Sequence, residues 1–180
     1  MKNQNTKKLA YAALFLALCL VLPMLTGQIP QIGSMLLPMH IPVLLCGLVC
    51  GWQYGAAVGF VAPLLRSVLF GMPPMYPVAI AMAFELLTYG LVIGLVYRRM
   101  AQKGAAGVYA ALLTAMVAGR LVWGVAEVVL LGLGGKAFTA QAFLAGALLN
   151  AVPGIIVQLV LIPAVMAALQ KVGAVKEYAE

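Results

Sequence analysis

Four ionisable side chains, Arg66, Glu85, Arg120 and Glu127, stand inside otherwise apolar stretches, and His40 and Asn150 are enclosed in the same way. A charge at the centre of a bilayer costs about 3 kcal/mol on insertion scales, so each of these groups needs a partner, water or a task. Guanidinium groups pair with carboxylates and phosphates through two parallel hydrogen bonds. Carboxylates accept from amide, hydroxyl and amine donors. Arg120 and Glu127 lie two helical turns apart on one face, with Trp123 between them, and Glu85 shares a face with Thr88 and Tyr89. Such a set can hold a small polar solute. Catalysis fits it poorly: the chain has one histidine, no aspartate, and its two apolar-run glutamates lie in different segments. Cys19, Cys46 and Cys50 read as small buried hydrophobes, and one histidine with a Cys-x-x-x-Cys pair falls short of a metal ligand set. The chain therefore reads as a protein without enzymatic activity, resident metal or cofactor.

The elements that must position these groups are set by composition. Charged residues make up 8% of the chain against roughly 25% in a soluble domain, and the mean hydropathy is +1.09. This is an all-α integral membrane protein, one domain over residues 1–180 embedded in a lipid bilayer. The net charge of +7 is not a nucleic-acid footprint, because most of it sits in short loops and at the ends, where it sets orientation.

The organising stretch runs from Leu37 to Arg66. Glycines recur there at every fourth position, Gly47, Gly51, Gly55 and Gly59, a spacing that lets backbones approach closely in lipid. An unbroken helix from Leu37 to Phe70 would measure about 51 Å, against about 30 Å of hydrocarbon. Two helices folded back near Gln53 fit better, and the spans are then 9–25, 37–52, 54–70, 76–97, 107–131 and 138–169. A cleaved signal competes for the first of these, but no clear small-x-small site follows it, so it reads as a retained helix. With six transmembrane helices and both termini cytoplasmic, Lys2, Lys7, Lys8, Arg98, Arg99, Lys103, Lys171 and Lys176 lie inside and only Lys136 lies in an outer loop. The single-helix alternative turns Arg98, Arg99 and Lys103 outward, against the positive-inside rule.

In this topology His40, Arg66, Glu85, Arg120, Glu127 and Asn150 all reach the outer half of the membrane. They describe a polar pocket open to the outside, roofed by the loop from Thr26 to Leu36, with Trp123 at its wall. Competing readings stay open: Arg120 with Glu85, or Arg66 with Glu127, as structural ion pairs; His40 as an interfacial hydrogen-bonder; Asn150 and Gln158 as interhelical links; Trp123 as packing. The glycine ladder serves either packing within the bundle or a dimer face. Ala10, Ala13 and Ala17 form a smooth stripe that packs internally or receives another subunit.

Size, six spans, the Ala13-Leu14-Phe15-Leu16-Ala17 stretch, and His40-Ile41-Pro42-Val43 leading into the glycine ladder together resemble the substrate-binding S component of energy-coupling-factor (ECF) vitamin transporters. The resemblance implies a subunit in a prokaryotic plasma membrane that binds a water-soluble vitamin or precursor from outside. It implies a transmembrane coupling subunit, docked on the Ala10, Ala13 and Ala17 face, and two ATPase subunits as partners. This chain has no Gly-x-x-x-x-Gly-Lys-Ser loop, so ATP hydrolysis falls to those partners. The pocket residues His40, Arg66, Glu85, Arg120, Trp123, Glu127 and Asn150 are then the expected substrate contacts, with pantothenate the leading solute among the family's substrates and a pyridine- or pyrimidine-type vitamin the runner-up. The reading from a different class is a stand-alone carrier in which Glu85 or Glu127 carries a proton.

Overall fold

The computed structural model describes residues 2–26, 35–100, 104–135, 139–146 and 151–173. Among them the secondary structure is helical throughout: α1 (Lys2–Thr26), α2 (His40–Cys50), α3 (Trp52–Phe70), a π-helical turn (Met75–Ala79) leading into α4 (Ile80–Met100), α5 (Ala105–Leu133), the short α6 (Ala140–Leu144) and α7 (Val152–Lys171). Five apolar helical segments are long enough to cross a membrane: Gln4–Leu25, Trp52–Phe70, Met75–Met100, Ala105–Leu133 and Val152–Lys171. The shorter α2 has 11 residues, or about 16 Å.

The organising stretch breaks as the length argument requires. Gly51 adopts φ 96° and ψ 169°, a left-handed backbone that separates α2 from α3. Gly47 and Gly55 then face each other across the turn: a Cβ on Gly55 would lie 2.7 Å from the Gly47 Cα. α4 closes on both. A Cβ on Gly59 would meet the Leu86 carbonyl oxygen at 2.2 Å, and one on Gly90 would meet the Gly55 carbonyl at the same distance. The ladder is therefore consumed in a three-helix contact inside the bundle, which resolves the choice between internal packing and a dimer face for these glycines. In lipid, where no hydrophobic force gathers helices, such backbone-to-backbone packing holds them together.

α2 is the centre of the fold. Every residue from Pro42 to Cys50 is buried, as is His40, so this helix is apolar all round because it faces protein on all sides. Pro38 disfavours helical geometry at the residue before it. Leu37 takes φ 49°, and the helix starts at His40, three residues later than the Leu37 start expected from the sequence. α1, α3, α4 and α7 pack around α2, and α5 packs on α4. Pro73, Pro74 and Pro77 keep the chain irregular before Ile80, with the Met72–Pro73 and Tyr76–Pro77 peptides cis. The segment read as one long final span from Phe138 holds α6 and α7; residues 147–150 between them lie outside the described residues.

Candidate functional site

The second turn of α4 carries Glu85 and, four residues on, Tyr89, both 2% exposed. Apolar neighbours would make a lone carboxylate there very costly. Arg120, from the middle of α5, meets it: Nη1 lies 2.9 Å from Glu85 Oε1, a charge-assisted pair. His40, the first residue of α2, brings Nε2 to 3.5 Å from the same oxygen. Its ring stands edge-on to Tyr89, 5.2 Å between centroids, and Tyr89 adjoins both the Glu85 and the Arg120 charges. Gly119 makes this possible, because a Cβ there would press on the Tyr89 ring at 3.0 Å.

The cluster leaves hydrogen-bonding capacity unused. Nε and Nη2 of Arg120, both ring nitrogens of His40 and Oε1 of Glu85 are buried without a hydrogen-bond partner, as is the side-chain nitrogen of Gln158 on α7. Buried polar groups are nearly always paired, and each left unpaired costs about 1–3 kcal/mol. Such a concentration around Arg120 and His40 marks a site prepared for a further group.

The other residues singled out in the sequence fall as follows. Glu127, two turns beyond Arg120 on α5, is buried and close enough to Glu85 for their charges to interact. Trp123 stacks on Phe143 of α6, 6.1 Å between ring centres at 27°. A Cβ on Gly146 would lie 2.7 Å from the Trp123 ring. α6 thus docks one turn beyond Arg120. Arg66 joins α1 instead of a carboxylate: Nη1 donates to the Leu20 carbonyl at 2.5 Å, and its guanidinium lies 5.3 Å from the centre of the Phe70 ring. The Leu20 carbonyl lies in the turn of α1 that contains Pro23, and this contact gives the arginine a structural employment. Arg66→Leu is therefore expected to lower stability by about 1–3 kcal/mol while changing solute affinity by less than about threefold; thermal unfolding and titration of the purified variant check both. Asn150 lies outside the described residues, as do most of the loop expected to roof the pocket and Lys103, Lys136 and Lys176.

The sequence reading treated Gln158 as an interhelical link. Its burial at 1% exposure with an unpaired amide nitrogen gives it the same unmet demand as Arg120 and His40, and a polar side chain in the middle of a final apolar span is the available signal. A groove of about 370 Å³ lined by Leu121, Gly124, Val125, Val128, Val129, Thr139 and Phe143 lies on the lipid-facing flank of α5 and suits hydrocarbon. Among the described residues no three His, Cys, Asp or Glu side chains gather to hold a metal.

An apolar helical bundle with a buried, incompletely paired ionic cluster defines a membrane protein built around a polar interior site. Over residues 7–166 the sequence matches the family described as ECF transporter, substrate-specific component, and the chain belongs to that family. It is a substrate-binding subunit of a transmembrane transport system, a family of transporters and not of enzymes. No curated protein and no solved structure matches the chain.

Proposed function

We propose that the chain is the high-affinity solute-binding S subunit of an ATP-driven importer for a water-soluble vitamin or precursor, and that the solute is held by Arg120, Glu85 and His40. The observation that carries this reading is the Arg120–Glu85 pair with its unpaired guanidinium edge, enclosed in a bundle of this family. Glu127 bounds the site on α5, and Trp123 closes it through α6. Asn150 is assigned to the same site from its sequence position. Pantothenate is the leading solute, since it offers a carboxylate, an amide and hydroxyls to these groups. A pyridine- or pyrimidine-type vitamin is the second reading, favoured by the aromatic Trp123–Phe143 pair beside Arg120.

In this reading α2 and α3 form the second and third of six crossings, both termini face the cytoplasm of a prokaryotic cell, and the whole chain acts as one domain. The subunit needs no cofactor of its own, since two ATPase partners hydrolyse ATP and a transmembrane coupling subunit transmits the energy. Ala10, Ala13 and Ala17 are exposed on α1 while Ala12 and Cys19 turn inward, so a smooth face is free to receive that coupling subunit. Ala13→Trp is expected to reduce uptake by reconstituted complexes at least about tenfold, the loss that a bulky ring in a close-packed interface produces, and to leave solute binding by the isolated subunit unchanged. Uptake at the wild-type rate would rule out docking through this face, and lost binding by the isolated protein would show that the stripe supports the fold instead.

A further inference from the structure

The unpaired polar atoms of the interior are unequal in kind. Arg120 Nε and Nη2 and the Gln158 amide nitrogen can only donate. Glu85 Oε1, an acceptor that also lacks a hydrogen bond, has its charge met by Arg120 Nη1 at 2.9 Å and lies 3.5 Å from His40 Nε2. With the imidazole proton on Nε2, facing Glu85, His40 Nδ1 is left as a single acceptor. The remaining demand is therefore dominated by donors looking for acceptors. The open Arg120 atoms are also the right pair: Nε and Nη2 form the side edge of the guanidinium, the fork that meets two oxygens of one carboxylate in a plane.

The head of α7 lies beside the chain that leads into His40. At the head of α7, a Cβ on Gly154 would lie 2.6 Å from the Met35 carbonyl and 3.0 Å from that of Leu36. One turn along α7 from Gly154 is Gln158; the same distance along the chain from Leu36 is His40. α7 packs against both α2 and α5, the helices that carry His40 and Arg120. Arg66, the other arginine within an apolar run among the described residues, adds nothing to the anion demand, since its guanidinium is taken up by Leu20 and Phe70.

We propose, resting on the solute-binding reading above, that Gln158 completes the site of Arg120, Glu85 and His40, and that the four select a monocarboxylic acid. The carboxylate lies side-on against Arg120 Nε and Nη2. A carbonyl or hydroxyl oxygen of the solute body accepts from the Gln158 amide. A hydroxyl or amide N–H of the solute donates to His40 Nδ1. A cationic solute would leave the Arg120 edge buried and unmet, and a dianionic phosphate would lack a second cation.

The test is calorimetric titration of the purified full-length protein with pantothenate, nicotinate, biotin and lipoate, each beside its neutral alcohol or amide analogue. At least one acid is expected to bind, with its neutral analogue weaker by about 100-fold, as loss of a charged hydrogen-bonded pair implies. Gln158→Met, which keeps the volume, is expected to weaken that acid about tenfold while the unfolding temperature holds or rises, because an unmet buried amide is removed. Acid and neutral analogue binding alike, or no acid binding, overturns the acid class. Unchanged affinity in Gln158→Met removes Gln158 from the site. The wild-type comparison of acid and analogue stands however the variant folds. Failure here leaves the subunit's role intact, since uptake and docking through Ala13 decide that separately.

Discussion

Arg120→Ala is expected to lower solute affinity by at least about 100-fold, because it deletes the charged edge of the site. The same change strips Glu85 of its counter-charge at 2% exposure. Breaking a buried pair from one side costs about 3–5 kcal/mol, so the single variant loses stability as well as affinity. The two losses separate in the double variant Arg120→Met with Glu85→Leu. Replacing both partners by apolar groups is close to neutral or stabilising, so the double variant should unfold at or above the wild-type temperature and still fail to bind. A double variant that binds would make the pair a structural tie and nothing more. Titration and thermal unfolding of the three proteins supply both readings.

Gly90→Ala is expected to destabilise the bundle by about 3 kcal/mol or more. The added Cβ would stand 2.2 Å from the Gly55 carbonyl carbon and oxygen, where backbone meets backbone and no side chain can swing aside. Overpacking of yielding cores costs about 1–3 kcal/mol, and this site lacks the means to yield. Gly59→Ala meets the Leu86 carbonyl in the same way. Because Leu86 follows Glu85 on α4, that variant also displaces the carboxylate from Arg120 and His40, and affinity should fall with stability. Gly132→Ala is the control: nothing lies within 4 Å of its Cβ position, and stability should stay level or rise by up to about 1 kcal/mol. Thermal unfolding in one detergent orders the three.

Much of this arrangement was legible in the sequence because lipid makes polar residues conspicuous. Glu85 and Arg120 stand out by their cost in an apolar run, and the topology expected from the positive-inside rule puts both in the outer half of the membrane. That the stretch turns followed from the length of hydrocarbon a helix has to cross, which placed the turn near Gln53; the structure breaks the helix two residues earlier, at Gly51. What stayed hidden depended on rotation about helix axes. Arg66 sits at the right depth, yet it turns to the Leu20 carbonyl beside Pro23. Glycine spacing alone did not say what the ladder faces; Gly90 and the Leu86 carbonyl of α4 answer that. Gln158 reads in the sequence as an interhelical link because an uncharged amide in a spanning helix usually bonds a neighbour, and only its unpaired nitrogen separates it from that class.

The central claim is that the Arg120–Glu85–His40 cluster holds the solute. It is tested most directly by purifying wild type and the Arg120→Met, Glu85→Leu double variant without added ligand, and identifying by mass spectrometry what each releases on unfolding. Near-stoichiometric release of one small molecule from the wild type, and none from the equally folded double variant, is the expected result. Equal release from both would contradict the claim.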